Sequence, residues 1–240
     1  MIVQAASGYE RTLARWAGGA QRPVPTATFV ADVLGGLNAF AAINAALVQR
    51  ASTGQGQVVD VALMDGMLNL LVYELQEAQF PVPSARATYG PVAAQDGDVL
   101  VVPITQRNFE ALAEAAGLVA ELCGDVRFAT VATRGAHWAE MMQIVEQWTS
   151  ERSAQDVLDA LQAAGVPCAR YAEPGELLDD AQCVARGLFA PIADAAGRFT
   201  GINAPWRLSA AGSSIGTRVP RVGEHGAEVR RDWLMLSSAD

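Results

Sequence analysis

Cysteine, histidine and clustered positive charge are all scarce in this chain, and each scarcity removes a class of function. Cys123, Cys168 and Cys183 are too few and too scattered for a disulfide framework or a zinc site. The two histidines, His137 and His225, lie far apart in sequence and suggest no metal centre. There is no basic run, and the formal net charge is −9, which argues against a nucleic-acid partner. An anionic ligand would need local arginines or helix termini, because the overall field is unfavourable to it. No basic segment precedes an apolar stretch at the N-terminus, so no signal peptide is expected and the cytoplasm is the default location. The sequence also lacks a P-loop, a GxGxxG after a strand, a GxSxG and an HExxH.

What remains is an alanine-rich chain of 240 residues, 51% apolar, long enough for one large or two small domains. Its organising stretch is Ala31-Asp32-Val33-Leu34-Gly35-Gly36, followed by an apolar run from Leu37 to Val48 and closed by Thr53-Gly54-Gln55-Gly56-Gln57. Val33, Leu37, Phe40, Asn44 and Leu47 recur at three- and four-residue steps, which predicts a helix. It carries no charge between Asp32 and Arg50, and a helix apolar nearly all round belongs in a core. Its apolar part is short for a membrane span. Gly54 is the expected left-handed stop, and Asp32 the expected N-cap.

Asp32 therefore has two readings. One is a helix cap. The other is a nucleophile or acid/base group held at a helix N-terminus, where the dipole favours a carboxylate and Gly35 and Gly36 let a substrate approach the backbone.

The rest of the chain alternates helical and extended patterns. Met1–Gly8 reads as an apolar strand and turn, and residues 9–30 as a loop broken by Gly18-Gly19, Pro23 and Pro25; Tyr9, Arg11, Arg15 and Trp16 could face a ligand or simply cap that loop. Residues 57–63 read as a strand apolar on both faces, followed by a helix over 65–78 with Asp65 at its N-cap. Residues 79–91 read as a linker. Strands at 91–95 and 98–103 flank an Asp96-Gly97 turn. Helices follow at Phe109–Ala116, Ala139–Trp148 and Ser153–Ala164, the last with a capping-box pattern of Ser153 and Asp156. Gly165 ends it before a Val166–Ala169 strand. His137 reads as a surface residue and Cys168 as a small apolar one. Short strands and loops occupy 187–222, a final helix ends near Leu236, and the tail 237–240 reads as disordered.

These segments together resemble the class III CoA-transferase family (carnitine dehydratase / bile-acid-inducible F type), which includes formyl-CoA transferase and alpha-methylacyl-CoA racemase. The resemblance rests on Met1–Gly8, Val30–Asp32 with Gly35-Gly36, Ala46-Leu47 with Arg50, Thr53–Ala62 and Met64–Gly66. It continues through Asp96-Gly97, Asp125–Ala129, Ala164–Ala169, Ala185–Phe189 and Gly223–His225.

The resemblance implies an α/β fold of interlocked-dimer type: part of a Rossmann-like large domain (1–80), a smaller α/β domain (81–190) and a C-terminal return to the large domain (191–240). It implies that Asp32 is the catalytic carboxylate, with Gln4, Gly35, Gly36, Tyr89 and His225 as candidate substrate-binding residues; a cap role for His225 stays equally open. It implies CoA and acyl-CoA as substrates with a small carboxylic acid as partner, no tightly bound cofactor and no metal, a homodimer or partner subunit, and neither nucleic acid nor membrane as partner. In the family a first segment precedes the Met1 equivalent, holding most CoA-binding groups and ending in an acid/base Glu or His; its expected absence here weakens a racemase reading. A single Gly90 stands where some transferases have a glycine-rich loop, which counts against formyl-CoA/oxalate specificity. A non-catalytic remnant, or a subunit of a split enzyme, is the alternative from another class.

Overall fold

Residues 1–80 fold almost entirely as helices: α1 (Ile2–Ala6), α2 (Tyr9–Trp16), α3 (Val30–Thr53), α4 (Leu63–Leu70) and α5 (Val72–Gln79). The protein is represented by a computed structural model that describes residues 1–19, 22–81, 89–212 and 214–232. The expected opening strand is instead α1. Five residues finish a single turn there, the Ser7 N–H closes on Val3 O at 2.9 Å, and Gly8 links to α2 with φ 87°, a left-handed conformation suited to glycine. The expected loop over 9–30 contains α2, because its glycine and proline breakers all lie beyond Trp16. α2 is tied to α5: Arg15 Nη1 lies 2.8 Å from Glu77 Oε2, and Trp16 Nε1 donates to Glu74 Oε1 at 3.3 Å.

α3 runs 24 residues, longer at both ends than its apolar run, which gives about 36 Å at 1.5 Å per residue. By length and composition alone it is long and apolar enough to cross a membrane, with mean hydropathy 1.5 over its best window. That corrects the expectation that it is too short. Gly54 ends it as expected, with φ 74° and its N–H on Arg50 O at 2.8 Å. Burial departs from expectation: in this chain only Ala31 and Gly35 of α3 are buried, while Val33, Leu37, Ile43, Leu47 and Val48 are exposed. α3 packs on α4 where side chains are absent. Leu63 occupies the space a Gly35 Cβ would take, and a Cβ on Gly66 would meet Asn38 Nδ2 at 3.0 Å and Leu34 Cβ at 3.3 Å.

The strand expected at 57–63 does not form. Residues 57–62 lie outside regular structure, and α4 already begins at Leu63. An apolar strand pattern needs a neighbouring strand to take its N–H and C=O groups, and none pairs with it among the described residues. The single helix expected over 65–78 is two, joined at Leu71. Asp65 is not its N-cap; Ala62 is, and Asp65 sits in the first turn.

From Pro91 onward the α/β pattern holds closely. β1 (Pro91–Ala94) and β2 (Gly97–Val101) form an antiparallel hairpin in register Ala94 with Gly97, so the turn is Gln95-Asp96, one residue before the expected pair. α6 (Gln106–Ala116), α7 (Val119–Leu122), α8 (Val131–Ala136), α9 (Trp138–Thr149) and α10 (Ala154–Ala163) follow, then β3 (Cys168–Arg170), which joins the sheet in order β1-β2-β3. Their apolar faces close one core, which includes Val99, Phe109, Leu112, Phe128, Met141, Val145, Val157 and Leu161. Polar links fix the hairpin to the helices. Thr149 Oγ1 donates to Ala93 O at 2.7 Å, the Ala93 N–H donates to Glu146 Oε1 at 3.0 Å, and the Ala154 N–H donates to Asp96 Oδ1 at 2.6 Å.

Caps mark the helix starts. The Asn108 N–H donates to Thr105 Oγ1 and the Asp156 N–H to Ser153 Oγ, both at 3.1 Å. The Asp156 carboxylate accepts from the Ser153 hydroxyl at 2.6 Å, so the expected box is half formed. Buried Arg134 lies 4.2 Å over the Phe109 ring and donates to Phe128 O at 2.8 Å; burial holds its guanidinium below the usual arginine range.

Chain contacts divide the protein into two compact units, Met1–Ala169 and Arg170–Asp240. The second holds α11 (Ala181–Ala185), an antiparallel pair β4 (Phe189–Ala193) and β5 (Arg198–Ile202), and α12 (Gly226–Asp232). Ala193 also bridges to Arg218, its N–H reaching Thr217 O at 2.9 Å. Of the linker expected over 79–91, residues 82–88 lie outside the described residues, as do the end of the last helix and the tail.

Candidate active site

The N-terminus of α3 is built by α1 beneath it. Gln4, on α1, is fully buried, and its Oε1 accepts the Ala31 N–H at 3.3 Å. That bond fixes which amide atom faces Ala31, since Nε2 cannot accept. Gln4 Nε2 is left buried with no partner among the described residues. An unsatisfied buried amide costs about 1–3 kcal/mol, so it marks a site that the chain holds ready or leaves incomplete.

The first-turn N–H groups of α3 can be followed one by one. Val30 N–H reaches Thr28 O at 2.9 Å, Ala31 N–H reaches Gln4, and Val33 N–H reaches Phe29 O at 3.0 Å. Among the described residues, the Asp32 N–H has no acceptor. Phe29, not Asp32, is the N-cap, and it makes no side-chain cap. The expected cap role for Asp32 is thus replaced by a place in the first helical turn. Its side chain is exposed and, among the described residues, forms no hydrogen bond or ion pair. A solvent-facing carboxylate on the positive end of a 24-residue helix, beside its own free N–H, suits attack on an electrophilic carbon.

The other expected site residues separate. Gly35 is buried against Leu63 and serves the α3–α4 contact, whereas Gly36 is exposed with nothing within 4 Å of where a Cβ would stand. Both lie beyond the first turn, so their N–H groups belong to the helix ladder and the free donor is that of Asp32. Tyr89 is placed on Trp138, ring centroids 5.2 Å apart and edge-on, beside the core of 92–166. His225 belongs to the second unit; its Nδ1 lies 3.2 Å from Glu228 Oε2, and its carbonyl accepts the Val229 N–H at 2.9 Å as the first acceptor of α12. Gln4 lies beneath the turn that carries Asp32, Gly35 lies one turn further along α3 at the contact with α4, and Gly36 faces outward. What the sequence reading did not find is the Gln4–Ala31 bond and the unpaired donors around it, since a glutamine after Val3 carries no signal of burial.

The sequence profile of CoA-transferase family III matches residues 1–226. The chain belongs to CoA-transferase family III. It is 33% identical over 216 residues to the succinyl-CoA–D-citramalate CoA-transferase of Chloroflexus aurantiacus, covering 84% of this chain and 53% of that protein. It is 28% identical over 242 residues to the formyl-CoA:oxalate CoA-transferase of Streptomyces avermitilis, covering 86% and 56% respectively. Among solved structures, a CAIB/BAIF family protein from Brucella suis superposes with TM-score 0.76 at 28% identity, over 96% of this chain and 61% of that one. The chain thus spans little more than half the length of these curated relatives. The family III chain is mixed α/β, as its sequence implies.

Proposed function

We propose that this chain carries the nucleophilic carboxylate of a CoA-transferase and moves CoA from an acyl-CoA to a small carboxylic acid. The observation that carries the reading is the exposed, unpartnered Asp32 in the first turn of α3, with its own N–H free beside it.

In the first step an Asp32 carboxylate oxygen attacks the thioester carbon of an acyl-CoA, forming a mixed acyl–aspartyl anhydride and releasing CoA thiolate. The thiolate attacks the aspartyl carbonyl, giving an aspartyl-CoA thioester and freeing the first acid. The acceptor acid reverses both steps, so one exchange is split into easier ones. The negative charge that builds on the tetrahedral oxygen falls beside the helix N-terminus, where the Asp32 N–H can donate to it. Gln4 positions that turn through its bond to the Ala31 N–H.

The acid in the reaction is a small carboxylate, as in the names of the relatives. The exposed apolar residues of α3 support a homodimer in which a second copy covers them, in line with the interlocked assembly that the resemblance implies. The protein acts as a soluble, cytoplasmic enzyme, with α3 a core helix of that assembly.

The test is a trap. The chain is incubated with a panel of acyl-CoAs, reduced with borohydride and mapped by peptide mass spectrometry. Every one of the 17 basic residues is arginine, so no lysine Schiff base can mimic the adduct. Reduction of Asp32 to the alcohol, absent in Asp32→Asn, is the expected result. An unmodified Asp32 with every acyl-CoA would overturn the reading for this chain.

A further inference from the structure

The second unit carries an open cleft of about 230 Å³ between the loop at Arg186–Leu188 and the segment Asn203–Arg207. Asn203 stitches the two walls. Its N–H donates to Leu188 O and its Nδ2 to Gly187 O, both at 2.8 Å, while its Oδ1 accepts the Ile215 N–H at 3.3 Å. The cavity is therefore a built feature of the fold.

Arg186 and Arg207 both line it. Arg207 Nη2 comes within 3.8 Å of where a Cβ on Gly187 would stand, which sets its guanidinium against the residue next to Arg186. Among the described residues neither guanidinium has a hydrogen-bond or ion-pair partner, and no Asp or Glu lines the cavity. Elsewhere in the unit Arg170, Arg218 and Arg231 each hold a carboxylate at 2.6–2.7 Å, while Arg198, Arg221 and Arg230, like the cleft pair, form no ion pair among the described residues; what sets Arg186 and Arg207 apart is that they line one opening. In a chain of net charge −9, two cations have been left uncompensated at one opening.

We propose that this cavity is a binding site for the phosphate group of a small ligand. Two guanidinium forks offer more donors than one carboxylate can accept, and they match the several oxygens of a tetrahedral phosphate. Trp206 on the rim is 41% exposed and offers an apolar surface to whatever the phosphate carries. The site lies wholly within residues 170–240 and stands independently of the reaction at Asp32.

The test is calorimetric titration of the full chain with inorganic phosphate, with AMP, and with acetate as a control. Saturable binding of phosphate or AMP with Kd at or below about 1 mM is expected. Arg186→Gln and Arg207→Gln should each weaken it tenfold or more. Both side chains are exposed, so both variants should keep the wild-type circular dichroism. AMP binding tenfold tighter than phosphate assigns the site to a nucleotide; equal affinities assign it to phosphate alone. Absence of saturable binding, acetate binding as tightly as phosphate, or wild-type affinity in either variant would overturn the proposal.

Discussion

α9 and α3 are both rich in apolar residues and meet opposite fates. Of the 12 residues in α9, Met141, Val145, Trp148 and Thr149 are buried, and the helix is pinned to β1 through Glu146 and Thr149. Of the 24 in α3, only Ala31 and Gly35 are. The difference is not composition. α9 packs on the hairpin and on α8 and turns its apolar side chains into the shared core, so each finds a neighbour. α3 meets α4 and α1 along one edge, where glycines allow close approach, and the rest of its surface faces outward in this chain. A helix that is apolar on every side records how many partners it was built for, and α3 has fewer here than its sequence calls for.

The largest effect should come from emptying the better-packed region. Phe128→Ala or Phe109→Ala should lower unfolding free energy by about 3–5 kcal/mol, read from urea denaturation. Leu37→Ala, 49% exposed on α3 in the single chain, should change the stability of the monomer by no more than about 0.5 kcal/mol, read at protein concentrations below those of self-association. A monomer cost equal to that of the core variants would break the contrast. The proposed dimer sharpens the same point. Leu37→Gln with Leu47→Gln should weaken self-association at least tenfold in analytical ultracentrifugation while leaving the circular dichroism intact.

The two adjacent glycines of α3 test its one packed edge. Gly35→Val drives side-chain atoms into Leu63 and should destabilise by about 1–3 kcal/mol. Gly36→Ala meets nothing within 4 Å and should stabilise by up to about 1 kcal/mol, because alanine is the better helix former. Equal effects at the two positions would mean that the α3–α4 contact does not form as described. Both are measurable in the same denaturation series.

The smallest effect is local and belongs to the second unit. The Arg218 guanidinium, 2.6 Å away, and the Arg221 N–H hold the Glu224 carboxyl down at about 2, against an ordinary 4.5. Because the folded value is depressed, its stabilising contribution is complete above about pH 4.5 and is lost as pH falls towards 2. Arg218→Gln should return the carboxyl most of the way to its ordinary value, as followed by carboxyl-carbon NMR titration. An unchanged titration would show that the pair does not form in solution.

How far the sequence could be read follows the same division. In 91–169 the hairpin, three of the helices and the last strand could be read directly, because Ser153, Gly165 and the apolar spacing act locally and the core then agrees with them. In 1–80, α1 and the 57–62 segment were legible only as apolar stretches. Whether Ile2–Ala6 becomes helix or strand, and whether Gln57–Ala62 pairs, depends on neighbours distant in sequence. The site shows the same limit at finer scale. Asp32 stood out by its type and by its place before an uncharged run. Its offset from the cap, Gln4 beneath it and the unpaired donors depend on how α1 meets α3, which no local pattern encodes.

The central claim is that Asp32 carries the transferred group, and heavy-oxygen labelling tests it most directly. The chain is given an acyl-CoA and an acceptor acid whose carboxylate carries heavy oxygen, and the Asp32 peptide is then weighed. Passage through the mixed anhydride replaces one Asp32 oxygen with one acceptor oxygen at each turnover, so the peptide should gain the mass of one heavy oxygen after a single turnover and of up to two after many, and Asp32→Asn should abolish transfer. Transfer of CoA to the acid with an Asp32 peptide of unchanged mass would contradict the account.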